Sequence, residues 1–194
     1  MVKQRLYFLP LILLFCCQQE EKQPIENPTQ IEKYFLLKDY VENQITLIDG
    51  ATVRKTTGIK GMEEVVEMDM NAEDWRKELH IFIQADINKA TLSTSYDTEE
   101  TGQSTVHRLK SGEKSPIQEI KIDFQGEKVR RISFVSHQKN LFYTSDAQGN
   151  LHIDTRTGKI ASYQVSGRQK VWFLSPNEMA IKGILLPYIN DSGK

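Results

Sequence analysis

His152 and Asp154 stand two apart in a stretch that alternates like a β-strand, so both side chains leave the same face. A carboxylate beside an imidazole can orient the ring, and the pair would supply two ligands of a metal site. Two ligands are too few, and spacing puts none of His80, His107 and His137 beside them, so the pair reads as solvated or structural. Lys128, Arg130, Arg131, His137 and Lys139 form a second group. Acids precede and follow it, which reads as a solvated face rather than a patch for an anionic partner. Gly112-Glu113-Lys114-Ser115 lacks the upstream glycine and following helix of a phosphate loop and is read as a turn. The sequence contains no GxSxG, HExxH, GxxxxGK[ST] or GxGxxG pattern. Its two cysteines, Cys16 and Cys17, are adjacent, which gives no disulfide framework, no CxxC pair and no thiolate set for zinc. No cofactor or metal is expected, and the chain is read as non-enzymatic; a hydrolase with a scattered site is the remaining enzymatic alternative.

The elements that position these residues must be built from 194 residues of which 39% are hydrophobic, enough for one domain. Lys and Arg total 25 against 26 Asp and Glu, a net charge of -1 that argues against a nucleic-acid binder relying on phosphate neutralisation. Thr29-Gln30-Ile31-Glu32 has the spacing of a capping box, so a first helix is expected to start there. Ile31, Tyr34/Phe35, Val41, Ile45 and Ile48 supply its apolar stripe, and Asp49-Gly50 ends it. Residues 52–58 and 62–70 are β-prone runs about Gly58 and Gly61, expected to form a hairpin. Asn71 is placed to cap a second helix with Glu73 and Asp74 in its first turn and Trp75, Leu79, Phe82 and Ile83 along one side.

From Thr91 onward Gly, Pro and Asn punctuate the sequence every eight to twelve residues, which suits short antiparallel strands. Residues 117–125 alternate cleanly, with Ile120, Ile122 and Phe124 on one face and Glu119, Lys121 and Asp123 on the other. Seven or more such strands predict an α+β fold, two helices packed on a strongly twisted or half-barrel antiparallel β-meander.

Two positions depart from this pattern. Asp86 lies eleven after Trp75 and four after Phe82, which puts a carboxylate on the apolar stripe near a helix C-terminus, where the dipole disfavours it. Its expected role is structural, with the amides of residues 88–91 or a neighbouring side chain satisfying it. Val171-Trp172-Phe173-Leu174 and the later Ala180, Ile181, Ile184, Leu185 and Leu186 abandon alternation, so apolar groups point to both faces. Internal cover of Trp172 is the expectation; the alternative makes Trp172 an anchor for a binding partner.

Lys3 and Arg5 precede about ten apolar residues, Leu6 to Phe15, roughly half of the ~20 a membrane-crossing helix needs. Leu14-Phe15-Cys16-Cys17 follows, and then the abruptly polar Gln18-Gln19-Glu20-Glu21. This pattern resembles a bacterial lipoprotein signal, in which an aliphatic residue stands three before the acylated cysteine and a small one just before it. Cys17 fits as acceptor, with Leu14 and Cys16 in those positions, whereas Cys16 would put bulky Phe15 at the cleavage point. The resemblance implies a signal peptide over 1–16 and a lipidated Cys17 that begins a tether over 17–28. A single α+β domain is then expected over 29–188. Gln18 after the cysteine resembles an outer-membrane address, and Glu20-Glu21 resembles the export signal of surface lipoproteins in Bacteroidota; surface and periplasmic display stay open. The tether residues 18–28 hold one aliphatic side chain and two prolines, too little to fold, and extend at most about 35 to 40 Å.

Ala85-Asp86-Ile87-Asn88-Lys89, Lys139-Asn140-Leu141-Phe142-Tyr143 and the order of elements resemble a group of short, uncharacterised lipoproteins of Bacteroidota, over most of residues 30–186. That resemblance implies compartment and fold and assigns no catalytic residue. A looser likeness, of architecture alone, is to half-barrel lipoprotein carriers and receptors of the outer membrane, which also begin with a helix laid against a curved sheet. The expected function is a membrane-anchored, non-enzymatic binding or assembly module at the outer membrane, its partner a protein or an apolar ligand. The alternative is a carrier or receptor for an apolar ligand.

Overall fold

The side chain of Asn71 accepts the backbone N–H groups of Glu73 and Asp74 at 2.8 and 3.0 Å, the capping that the sequence led us to expect. It is seen in a computed structural model that describes residues 31–186 apart from Lys60. The expected capping residue Thr29, the signal segment 1–16 and the tether 17–28 with Cys17 lie outside the described residues. Helix α1 (Leu37–Leu47) is followed by β1 (Ala51–Ile59) and β2 (Met62–Met70), then by α2 (Ala72–Glu78) and α3 (His80–Gln84). The remaining strands are β3 (Tyr96–Thr101), β4 (Ser104–Leu109), β5 (Ile117–Gln125), β6 (Lys128–Lys139), β7 (Tyr143–Asp154), β8 (Lys159–Val171) and β9 (Asn177–Leu185).

The nine strands of the described residues join one antiparallel sheet in the order β2-β1-β9-β8-β7-β6-β5-β4-β3. From β3 to β9 it is a plain meander, and β9 then pairs with β1, so the first hairpin extends the sheet past the last strand. The sheet is open, with β2 and β3 at its edges. The helices lie on one face of it, and the class is α+β, as expected.

Two helix boundaries differ from expectation. Residues 31–36 are not helical, and α1 begins at Leu37. The reason is a competing partner: buried Asn88 accepts the amides of Lys33 and Tyr34 at 3.1 and 2.9 Å, which holds this stretch in a bend instead of a helical turn. The second helix is also broken, with Leu79 at φ -90° and ψ 7° separating α2 from α3. The apolar stripe survives the break, since Trp75, Leu79 and Phe82 are all fully buried.

The core lies between the helices and one sheet face. Leu37, Val41 and Ile45 of α1 and Trp75, Leu79 and Phe82 meet Val53, Ile120, Ile122, Ile132, Phe134, Leu151 and Tyr163. Two glycines make room for aromatic rings. A Cβ at Gly149 would stand 2.3 Å from the Phe134 ring and 2.9 Å from Phe82, and one at Gly183 would stand 2.1 Å from Tyr163. The Phe82 and Phe134 rings meet edge to face at 5.3 Å, as do Trp75 and Tyr163 at 6.2 Å. The Tyr163 hydroxyl donates to Glu78 at 2.8 Å, and Lys55 pairs with the same carboxylate at 2.5 Å. Burial and that neighbouring carboxylate push the Tyr163 phenol well above its ordinary range.

Asp86 is 7% exposed and fully engaged. It accepts the Asn88 amide at 2.7 Å and side-chain nitrogen at 3.1 Å, the local partners expected, and also the Lys38 amide at 3.3 Å. The Lys38 bond lies in the first turn of α1, whose preceding residue Leu36 offers no side-chain cap. Asp86 therefore caps α1 from another part of the chain, and the positive end of that dipole offsets its unfavourable place after α3. The Asn88 side-chain nitrogen also donates to the Phe35 carbonyl at 2.9 Å, which completes a latch between residues 31–38 and 86–88.

Candidate functional site

Strand direction and register bring three turns to one end of the sheet, here called the tip. Ile59 pairs with both Met62 and Met179, Tyr143 pairs with Val171, and Lys139 pairs with Thr144. The β1–β2, β6–β7 and β8–β9 turns thus stand side by side. The helix layer runs elsewhere: Gln44 of α1 holds the carbonyl of Gly158 and the amide of Ile160, at the β7–β8 turn of the opposite end.

Asn140 shapes the β6–β7 turn by accepting the amides of Phe142 and Tyr143 at 2.8 and 2.9 Å. The Leu174 amide closes onto the Val171 carbonyl at 3.0 Å in the neighbouring turn, and the Trp172 amide donates to the Phe142 carbonyl at 3.0 Å, tying the two turns together. On this joined tip Leu141, Phe142, Trp172, Phe173 and Leu174 are between 57 and 90% exposed. The Trp172 and Phe173 rings meet each other edge to face at 5.6 Å.

The expectation of internal cover for Trp172 is overturned, since the residue is 73% exposed. Val171 is the last residue of β8 in the ladder, and Trp172 lies in the turn beyond it. Apolar groups do point to both faces in β9, as the sequence indicated: Ile181 and Leu185 pack on the core while Ile184 faces out. Beyond the helices the core face also stays open, and Ile59, Met62 and Met179, adjacent in one rung, are all exposed.

The opposite face near the tip carries a groove of about 780 Å³. Register sets one rung of Glu63, Gly58, Ala180, Ser166, Gln148 and Val135 across six strands, and a second of Glu178, Arg168, Asp146 and His137 beside it. The His137 Nδ1 meets Asp146 at 2.6 Å, and Arg168 meets Glu178 at 3.5 Å. All four side chains are about half exposed or more, so these pairs are solvated and contribute little to stability. They could orient a polar ligand. A turn centred on Leu141 and Phe142 makes His137 and Asp146 direct partners, so turn placement was the signal that could have joined them from sequence.

The other sequence candidates are not brought together. His152 faces Arg131 and Ser162 across the ladder, and burial together with Arg131 and Arg130 pushes its imidazole below the ordinary value. Asp154 instead holds the backbone and guanidinium of Arg156, which keeps its carboxyl low. The basic group disperses along β6, where Arg131 pairs with Asp123 and Lys128 holds the Thr155 carbonyl. Burial raises the Asp123 carboxyl, and Arg131 with Lys121 more than offsets it, leaving its pKa low. His107 is buried, with Nε2 accepting from the Phe35 amide at 3.3 Å and Nδ1 beside the Thr98 hydroxyl at 2.9 Å. Burial pushes its imidazole below the ordinary value, against a smaller opposite pull from Glu100. Among the described residues no group of three or more His, Cys, Asp or Glu is placed to hold a metal ion.

No family model matches the chain, and neither a curated protein nor a solved structure matches it.

Proposed function

We propose that this chain is a lipoprotein of the outer membrane, acylated at Cys17, that presents a non-enzymatic binding or assembly module on a short tether. The observation that carries the reading is the tip: five large apolar side chains on two mutually bonded turns, none of them needed to fill the core. A monomeric domain rarely exposes such a contiguous patch without a use for it. The lipobox-like Leu14 to Cys17 and the polar tether support the anchor. Several acyl chains on one residue hold a protein stably where one would be marginal.

A carrier for an apolar ligand is the second reading, favoured by the exposed rung of Ile59, Met62 and Met179 on the core face. Such a carrier would keep its ligand against that rung, because large side chains fill the rest of the face. Native mass spectrometry separates the two: a carrier emerges with bound lipid, a docking module without.

The anchor is tested by fatty-acid labelling in a diderm host. Label is expected in the natural chain and in Cys16→Ala and is lost in Cys17→Ala. Label that follows Cys16 instead, or none at all, contradicts the reading.

A further inference from the structure

We infer that the tip formed by the β6–β7 and β8–β9 turns is a membrane-contact surface, inserting its apolar side chains into a phospholipid bilayer with anionic headgroups. The inference takes from the proposed function only the place of the protein beside a membrane. Three observations carry it.

The apolar groups sit on protruding turns and not in a concavity. Leu141 is 90% exposed and Trp172 73%, and their turns hold a fixed shape through backbone and Asn140 bonds rather than by burying these side chains. Aromatic and aliphatic groups raised on a rigid backbone enter a fluid interface without needing a complementary surface, and Trp and Tyr favour the headgroup level. Tyr143 follows directly at the start of β7.

The charge behind the turns is complementary to lipid. Lys139, Thr144 and Lys170 form the ladder rung next to the apolar turns, and neither lysine makes an ion pair among the described residues. Two residues further back Asp146 meets His137 and Glu178 meets Arg168, so neither acid faces the two lysines as a partner. An apolar tip with two unpaired lysines directly behind it suits an anionic surface, where each lysine contributes about 1 kcal/mol, or roughly fivefold in binding.

The chain that leads to Cys17 enters the fold at the same end. Lys33 Nζ holds the Ser93 carbonyl, and the Tyr34 ring packs on Tyr96 at 5.7 Å. Tyr96 begins β3 opposite Leu109, and the ladders run from there through the starts of β5 and β7 to the tip turns. A tether of about 35 to 40 Å at full extension leaves this end free to touch the bilayer in which the acyl chains sit.

The test uses the chain from Gln18 onward, which keeps every described element and the whole core but has no acyl group. Vesicles of phosphatidylethanolamine and phosphatidylglycerol at 3:1 are the probe, with phosphatidylcholine vesicles for comparison. The expected result is flotation with the anionic vesicles and quenching of tryptophan emission by lipids brominated in the acyl chain. Trp75 is fully buried, so that quenching reads Trp172. Phe142→Ser with Trp172→Ser should abolish flotation, and Lys139→Gln or Lys170→Gln should each weaken it about fivefold. A chain that stays in solution, or that floats with Trp172 unquenched, overturns the inference and points to a protein partner. The quenching needs no substitution, so it decides even if the variants fold poorly. Failure here leaves Cys17 labelling intact, and loss of that labelling leaves vesicle binding intact, so the two readings fail separately.

Discussion

The corner at Asp86–Asn88 and the turn at Lys139–Tyr143 both depend on an asparagine whose side-chain oxygen accepts two backbone amides, yet they do opposite work. Asn88 accepts from Lys33 and Tyr34, more than fifty residues away, and is buried together with Tyr34 and Asp86. Asn140 accepts from Phe142 and Tyr143, two and three residues on, in an exposed turn. The first bond set fixes how distant segments pack. The second fixes only the shape of a loop, so its apolar neighbours are raised into solvent rather than drawn into the core. One chemistry therefore builds the fold at one site and presents a surface at the other, and substitutions should divide accordingly.

The largest effect is expected in the core that the latch closes over. Phe82→Ala removes the ring between Phe134 and Gly149 and should cost about 3 to 5 kcal/mol by denaturant unfolding. Asn88→Ala should follow at about 3 kcal/mol, since it leaves the Lys33 and Tyr34 amides and the Phe35 carbonyl without their partner. Asp86→Asn keeps an acceptor but loses the charge at the start of α1, and about 1 to 3 kcal/mol is expected. Trp172→Ser should change stability by less than about 0.5 kcal/mol, as surface substitutions do. A Trp172→Ser variant that melts as early as Asn88→Ala would erase the contrast between the two regions.

Acid should sharpen it. The folded state holds His107 below its ordinary value by burial, while the unfolded chain titrates near 6.5. Above that pH the ring is neutral in both states and contributes nothing. As pH falls through 6.5 the unfolded chain binds the proton first, so stability declines until the depressed folded pKa is passed. His152 is also held low and adds in the same direction. Melting temperatures measured between pH 7.5 and 5 should fall, and His107→Gln should show a shallower slope.

Local patterns carried most of the fold. Alternation over 117–125 became β5, the runs about Gly58 and Gly61 became β1 and β2, and Asn71 caps α2. What failed to show locally depended on distant partners. The start of α1 moved because Asn88 holds residues 33 and 34, and β1 joined β9 across more than a hundred residues. The tip was half legible. Loss of alternation at Val171–Leu174 marked it, but whether Trp172 was covered turned on where the helices end, which no spacing near Trp172 records. The His137–Asp146 pair required the register of a hairpin, and the groove around it required six strands in order.

The most direct measurement is iodide quenching of the chain from Gln18 onward, in buffer and then with saturating phosphatidylethanolamine–phosphatidylglycerol vesicles. Trp75 is buried, so the quenched emission belongs to Trp172. Strong quenching in buffer that is lost on adding vesicles is the predicted result. Emission already shielded in buffer, or quenched equally well with vesicles present, would contradict an exposed tip that docks on lipid.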